Sequence, residues 1–290
     1  MLAGPTGSGK TALALKMAKE AGAEIVGADS QQVYRGFDIG TAKPTAAELA
    51  QVPHHLISVV DPWTPFSAVK YQALADEVIA NVHARGRPVL LVGGTGLYLR
   101  ILLHGVVAAA GADPALRARL SADANAFGSA ALHARLAAVD PRSASRLPVS
   151  DRLRVIRALE IHQRTGKPAS QWRDEHTFAQ ERYSFALFVL DPPRDALYEA
   201  INQRTRALFD AGLVEETRAL VAAGYRETSP MRCVGYRQAL AVIDGTVSRE
   251  DAILSTAQQT RHYAKRQLTW FRREQKAQLI RPPYTEIRMA

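Results

Sequence analysis

Apolar and polar positions follow two distinct rhythms in the first hundred residues of the chain. Compact apolar runs at 23–28 and 88–92 are typical of buried strands, whereas the segment between Ser67 and Gly86 has the three- to four-residue spacing of a helix. The predicted apolar face of this helix consists of Val69, Leu74, Val78, Ile79 and Val82. Strands that alternate with helices predict an α/β fold, in which helices flank a parallel sheet.

The pattern changes near residue 113, where Ala, Arg and Leu begin to dominate short helical segments that continue to residue 182. These segments are separated by turn signals at Phe127-Gly128, Asp140-Pro141, Leu147-Pro148 and Thr165-Gly166. We interpret 113–182 as an inserted helical subdomain and assign 1–112 and 183–290 to the catalytic core. A strand-like run at 184–190 indicates that the chain then returns to the sheet.

The last part of the core is predicted to form helices that are interrupted at Gly212, Gly224 and Gly245. Its final long helix is predicted to start at Ser248, where Asp251 completes a capping box. Basic side chains crowd the end of that helix: Arg261, Lys265, Arg266, Arg272, Arg273 and Lys276, interrupted by Trp270 and Phe271. We interpret the cluster as an RNA-binding surface in which Trp270 or Phe271 individually belongs to the core, and the alternative is a solvated helix face with both aromatic side chains buried.

The chain as a whole is basic, with 37 Lys and Arg against 28 Asp and Glu and a net charge of +9 over 290 residues. A polyanionic partner is therefore predicted, with solvated surface charge as the alternative. No run approaches the roughly 20 apolar residues of a membrane span, and no leader pattern is seen, so we expect a cytoplasmic protein without a membrane partner. The single Cys233 excludes an intrachain disulfide. His54-His55 has no further metal ligand nearby, which favours a structural role.

Residues 4–11 (GPTGSGKT) match the phosphate-binding P-loop pattern, and a helix-forming run follows at once. The glycines let backbone N–H groups converge on an anion, Lys10 adds a charge, and the Thr11 hydroxyl suits Mg²⁺. The phosphate-binding residues are Gly4, Pro5, Thr6, Gly7, Ser8, Gly9, Lys10 and Thr11. Only three residues precede the loop, fewer than the roughly five of an ordinary strand, which predicts an incomplete first strand.

A second feature distinguishes this loop from that of a nucleotide-hydrolysing enzyme. Such enzymes normally carry an acidic Mg²⁺ ligand after a second strand, but here the run 88–92 ends in Gly93-Gly94-Thr95-Gly96. A carboxylate follows the other strand instead, where Asp29 precedes Ser30-Gln31-Gln32. The pattern favours chemistry beside a phosphate group, although Asp29 could also be a turn or helix cap.

Six segments in this order resemble the tRNA isopentenyltransferase family, whose bacterial members are tRNA dimethylallyltransferases. They are 4–11, 29–44 (DSQQVYRGFDIGTAKP), 93–98 (GGTGLY), 154–160 (RVIRALE), 233–238 (CVGYRQ) and 264–272 (AKRQLTWFR). The resemblance spans nearly the whole chain and implies a P-loop NTPase-like core. It also implies transfer of the dimethylallyl group from dimethylallyl diphosphate to N6 of adenosine 37, in tRNAs that read codons beginning with U.

The resemblance further implies roles for individual residues. Lys10 and Thr11 with Mg²⁺ would clamp the diphosphate, Thr95 would meet its bridging oxygen, and Arg204 would add a cation, although Arg204 could also be an exposed surface residue. Asp29 would accept the N6 proton of an adenine extruded from the anticodon stem-loop. Contacts to tRNA would come from Asp29, Ser30, Gln31, Gln32, Thr95, Arg117, Leu153, Arg154, Val155, Ile156, Arg157, Arg232, Cys233, Val234, Gly235, Tyr236, Arg237, Lys265, Arg266 and Arg272.

Three other functions compete with this interpretation. A P-loop kinase or NTPase would be expected to hydrolyse ATP, whereas a transferase would bind ATP without turnover. An isopentenyltransferase acting on free AMP would need neither the insert nor the basic helix. A tRNA-binding protein without activity is disfavoured, because Lys10, Thr11, Asp29 and Thr95 are all present. Nothing in the sequence suggests more than a monomer.

Overall fold

The computed structural model describes residues 1–106, 109, 111–176 and 181–284. The chain divides into two compact units, of which the first combines Met1–Leu103 with Tyr183–Ala290 and the second is His104–Arg182. The second unit includes the segment 113–182, which the composition sets apart. Among the described residues, no helix is both long and apolar enough to cross a membrane.

The first unit is built on a parallel sheet, which confirms the predicted α/β fold. Its six described strands lie in the order β3-β2-β4-β1-β5-β6, and all of their pairings are parallel. The strands are β1 (Leu2–Ala3), β2 (Glu24–Gly27), β3 (His54–His55), β4 (Val89–Gly93), β5 (Leu187–Leu190) and β6 (Ala277–Ile280). The predicted runs at 23–28, 88–92 and 184–190 correspond to β2, β4 and β5.

The first strand is short but central. Leu2 pairs with Val92 of β4 on one side and with Phe188 of β5 on the other, and both of its residues are fully buried. Two residues suffice here because neighbouring strands satisfy the backbone on both sides. β1 then leads directly into the phosphate loop.

Helices flank this sheet on the first unit. They are α1 (Lys10–Ala21), α2 (Ala46–Leu49), α3 (Ala68–Ala84), α4 (Gly96–His104), α9 (Arg194–Asp210), α10 (Leu213–Ala222), α11 (Tyr236–Ile243) and α12 (Arg249–Phe271), with a 3₁₀ turn at Pro230–Arg232. The predicted cap at Ser248 is confirmed, since its side chain accepts from Asp251 N at 3.1 Å.

The predicted apolar face of α3 needs a correction. Val69 is 50% exposed and Leu74 is 36% exposed, whereas Tyr71 and Ala75 are fully buried. The helix packs through residues four apart, and the Tyr71 ring stacks on Tyr98 at 4.2 Å between ring centroids. Ile79 and Val82 are buried as predicted, so the periodicity located the helix and part of its buried face but missed the residues of the first turns.

The predicted pair of histidines occupies the edge strand β3. His55 Nε2 lies 2.7 Å from Glu24 Oε2, and Arg85 reaches the same oxygen at 2.7 Å. These hydrogen bonds hold the pKa of the buried Glu24 carboxyl below its ordinary value, Arg85 contributing most. The contact between the edge strand and the sheet is therefore structural.

The second unit is helical, with α5 (Pro114–Val139), α6 (Pro141–Arg146), α7 (Arg152–Thr165) and α8 (Ala169–His176). α5 is kinked at Gly128, where φ is 83°, at the turn signal seen in the sequence. α7 packs against α5 through an apolar cluster that includes Val155 and Ile156.

Candidate active site

A cavity of about 550 Å³ opens where β1, β2 and β4 end. Because parallel strands present their carboxyl ends on the same edge of a sheet, this edge gathers the phosphate loop, Asp29 and the turn after β4. The lining includes Thr6, Lys10, Thr11, Asp29, Ser30, Gln31, Gln32, Gly94, Arg204, Arg232, Cys233, Val234, Gly235, Arg237, Tyr263, Arg266 and Gln267. Two sequence segments that were predicted to act together, at residues 4–11 and 29–32, are thus neighbours in space.

The phosphate loop has the backbone that an anion site needs. Gly9 precedes α1 in a left-handed conformation with φ 82°, so the N-terminus of the helix opens toward the cavity. Lys10 Nζ is held by Pro5 O at 2.6 Å and approaches Ser8 Oγ at 3.5 Å. The lysine is therefore folded back over the loop.

Burial makes this cation unusually easy to deprotonate. Desolvation, together with the nearby charge of Arg204, lowers the pKa of Lys10 to about 7, although the charge of Asp29 acts to raise it. Burial also lowers the pKa of Arg204, and the charge of Asp29 opposes that shift. Arg204 lies on α9 and lines the cavity, so it is not the exposed surface arginine of the alternative interpretation. Two partly buried cationic side chains beside one carboxylate leave excess positive charge for an anionic ligand.

Asp29 occupies the turn after β2 with a defined orientation. Its Oδ1 accepts from Gln31 N at 2.8 Å and from Gln32 N at 3.3 Å, which makes an Asx-type turn. Both bonds end on the same oxygen. The turn thus fixes the orientation of the carboxylate through Oδ1. The other oxygen, Oδ2, is the one that can bind a ligand in the cavity.

The neighbouring polar side chains are held by one another. Thr95 Oγ1 accepts from Ser30 N at 3.1 Å, which ties the turn after β4 to the turn after β2. The Cys233 thiol donates to Gln31 Oε1 at 2.6 Å. Burial, with the negative charge of Asp29, raises the pKa of Cys233 to about 12, so the thiol stays a donor. Gln32 donates to Thr41 O and Ala42 O instead of pointing its amide at a ligand.

Tyr236 is one predicted contact residue that the structure places outside the cavity. Its ring is fully buried beside Phe37, and its hydroxyl lies against Glu216 and Gly40 N. The Tyr236 hydroxyl therefore supports the loop at Gly40 by accepting a hydrogen bond from Gly40 N. Its side chain offers no exposed surface to a ligand, because α11 turns its first residue toward the core.

The basic cluster at the C-terminus is only partly on a helix. α12 ends at Phe271, so Arg272, Arg273 and Lys276 follow it. Arg272 Nη2 binds the buried Asp191 at 2.7 Å, which gives it a structural partner. Phe271 is 1% exposed and belongs to the core, as expected for one of the two aromatic residues. Lys265 and Arg266 are exposed.

The predicted contact residues of the second unit divide into two groups. Arg117 and Arg157 both bind Glu160, a carboxylate with no exposed side-chain surface. Burial acts to raise the pKa of Glu160, but the hydrogen bonds from Arg117, Asp113 N and Arg157 outweigh it and leave the pKa lowered. These arginines therefore stabilise the unit by neutralising a buried acid.

The remaining residues of this segment lie on opposite faces of α7. Leu153 is 82% exposed and Arg154 is also on the surface, where it binds Asp151 at 3.1 Å. Val155 and Ile156 are 1% and 4% exposed, so their side chains pack the unit and are not free to contact RNA. The helical period explains why a continuous sequence motif cannot be a continuous surface.

Several cavity residues were not predicted individually from the sequence. Tyr263, Gln267 and Gln259 line the site from α12, and Ile201 and Leu208 supply apolar surface from α9. The four-residue spacing of Gln259, Tyr263 and Gln267 predicts that they share one face of α12. It does not predict that this face meets the cavity.

Residues 32–274 match the family model described as IPP transferase. A tRNA dimethylallyltransferase of Myxococcus xanthus is 64% identical over 284 residues, covering 98% of this chain and 92% of that protein. One from Geobacter sulfurreducens is 47% identical over 275 residues, covering 94% of this chain and 88% of that protein.

Two solved structures are also similar to this chain. The tRNA isopentenylpyrophosphate transferase of Bacillus halodurans superposes with a TM-score of 0.71 at 39% identity, covering 97% of this chain and 88% of that one. A eukaryotic dimethylallyltransferase acting on tRNA superposes with a TM-score of 0.78 at 25% identity, covering 97% of this chain and 72% of that one.

Proposed function

This chain belongs to the IPP transferase family, and from that membership we propose that it transfers a dimethylallyl group from dimethylallyl diphosphate to an adenosine of tRNA. The observation that carries the proposal is the pairing of a cationic phosphate loop with Asp29 across one cavity. The turn after β4 offers Thr95 and no carboxylate, which suits a departing diphosphate better than a phosphoryl group under attack.

The reaction follows from the charges that surround the cavity. The C–O bond between the allyl carbon and the diphosphate breaks, and the electron pair leaves with the diphosphate. Lys10, Arg204 and the backbone N–H groups of the loop stabilise that negative charge. Ile201, Leu208 and Val234 offer apolar surface for the dimethylallyl group.

The nucleophile is the exocyclic amine of the adenine. Its nitrogen forms the new C–N bond to the allyl carbon, and its proton passes to Asp29 as that bond forms. The Asx-type turn holds Asp29 ready for this step through Oδ1 alone. Because the amine lies inside a stacked anticodon loop, the base must be extruded to reach the cavity.

Mg²⁺ belongs to this proposal through the phosphate loop. Thr11 lines the cavity, and no group of three or more His, Cys, Asp or Glu side chains in the described part of the chain could hold a metal. This donor set fits a cation that is held by one hydroxyl, waters and the diphosphate itself. When bound, Mg²⁺ supplies positive charge to the leaving group.

The proposal extends to the partners and setting of the enzyme. The acceptor is adenosine 37 in the anticodon stem-loop of tRNAs that read codons beginning with U, and the chain acts as a monomer. Exposed Lys265, Arg266 and Leu153 are the surface residues best suited to contact the RNA. A cytoplasmic location would give it access to tRNA.

Thermal stabilisation by ligands and an ATP hydrolysis assay together distinguish dimethylallyl transfer from ATP hydrolysis. Pyrophosphate with Mg²⁺ should raise the melting temperature by mass action, and ATP should bind without turnover. Pure protein is incubated with labelled ATP and Mg²⁺, and in parallel with labelled dimethylallyl diphosphate and unmodified tRNA. Appreciable ATP hydrolysis, or no label on tRNA, would overturn the proposal.

RNA binding through α12 gives a separate prediction. Lys265→Ala should weaken tRNA binding and lower the slope of log affinity against log salt by roughly 0.7 to 1, the value of one phosphate contact. Arg272 is unsuitable for this test, because its removal takes the closer of two arginine partners from the buried Asp191. The matched control is Lys19→Ala on α1, an exposed lysine outside the cavity. Equal slopes in the two variants would assign Lys265 to a solvated face.

A further inference from the structure

One face of α12 lies against the glycine-rich turn that follows β4. Tyr263, Gln267 and Trp270 are spaced i, i+4 and i+7, so they share this face. Gln267 Nε2 donates to Gly94 O at 2.9 Å, the Trp270 ring packs over Gly96, and Tyr263 lines the cavity. Two residues of the turn are therefore each held by one residue of the helix.

Gln267 also reaches the phosphate loop. Its Oε1 accepts from Thr6 N at 2.9 Å, while its Nε2 binds Gly94 O. The side chain is 7% exposed, and its orientation is fixed because the carbonyl faces an N–H and the amide NH₂ faces a C=O. A single buried amide thus joins the phosphate loop to the turn that carries Thr95.

The glycine at position 94 makes this bridge possible. A Cβ at Gly94 would lie 2.2 Å from Gln267 Nε2, and its φ is outside the left-handed region. The backbone dihedral would therefore accept another residue, and it is the close approach of the amide, with Gly4 O at 3.3 Å as a second tight contact, that requires glycine. Gly94 and Gln267 therefore act together, because the glycine leaves the space that the amide occupies.

We propose that Gln267 is a positioning residue that fixes the distance between the phosphate loop and Thr95. This inference rests on the proposed function, since the two segments would stabilise the same leaving diphosphate. Donors that meet a developing charge must be placed before the bond breaks, and a shift of about 1 Å can cost 10²-fold in rate. Gln267 acts through the backbone at Thr6 and at Gly94.

The direct test is Gln267→Met, which keeps the side-chain length and removes both hydrogen bonds. We expect kcat to fall by on the order of 10²-fold and Mg²⁺-pyrophosphate to bind at least about 10-fold more weakly, with tRNA affinity unchanged. Gln258→Met is the matched control, because Gln258 is exposed on the same helix and does not line the cavity. A residue that served only stability would lower the melting temperature of folded protein and leave both parameters unchanged.

Gly94→Ala provides a second route if Gln267→Met does not fold. The added methyl group should displace the amide and reproduce the same loss of pyrophosphate affinity. In the double variant, the losses should be far from additive, because either change alone breaks the bridge. Wild-type pyrophosphate affinity in either folded variant, or additive losses, would overturn the inference. Absence of pyrophosphate binding in the wild-type protein would instead overturn the proposed function from which the inference starts.

Discussion

Asp29→Asn should lower the single-turnover rate of dimethylallyl transfer by on the order of 10² to 10⁴. The substitution keeps the size of the side chain and an oxygen that can accept from Gln31 N and Gln32 N. It removes the ability to take a proton from the adenine amine. The rate is measured at saturating tRNA, together with tRNA affinity and melting temperature.

Folding and tRNA affinity of the Asp29→Asn variant are the controls for its transfer rate. Asn is comparable to Asp as a turn and capping residue, so folding and tRNA affinity should be retained. A transfer rate near that of the wild type would remove Asp29 from the mechanism. A large fall in melting temperature would return it to a structural role.

Lys10→Met should weaken Mg²⁺-pyrophosphate binding by on the order of 10²-fold, because it removes a cation from a desolvated anion site. The wild-type pKa of about 7 adds a pH dependence. Lys10 is charged below that pH, so its contribution to affinity should be complete there and should be lost as the pH rises through 7 and above. Calorimetric titration between pH 6 and pH 9 measures both effects.

Lys10→Arg is the matched control for the pH dependence, because guanidinium keeps its charge over this range. Pyrophosphate titrates on its own, but it does so equally with every variant, so the wild-type affinity is read relative to Lys10→Arg. That ratio should fall above pH 7. The melting temperature of unliganded Lys10→Met should not decrease, since the buried ammonium itself opposes folding. A ratio independent of pH would contradict the assignment.

The phosphate loop and Asp29 could be predicted from the sequence because their chemistry is local. An anion-binding loop needs consecutive backbone N–H groups and a following helix, and the sequence pattern of residues 4–21 predicts both. Asp29 directly follows an apolar run, and parallel strands end on one edge of a sheet. These rules place the two segments together without knowledge of the rest of the fold.

Pairings between distant residues could not be predicted in this way. The periodicity of α12 groups Tyr263 with Gln267, but only packing brings Gln267 to Thr6, 261 positions away. In the same way, Arg272 resembles an RNA contact in the sequence and binds Asp191 in the structure. A charged side chain has the same sequence pattern whether its partner is a phosphate or a buried acid.

The sequence by itself determined the α/β fold, the family and the segments that surround the cavity, because helical and strand periods and contiguous motifs depend on neighbouring residues. Only the tertiary structure decided which side of each helix is available. It turned Val155 and Ile156 inward and Leu153 outward on helix α7, and it directed Gln267 toward the phosphate loop. Burial and distant hydrogen-bond partners are set by the packing of whole elements, which no local pattern contains.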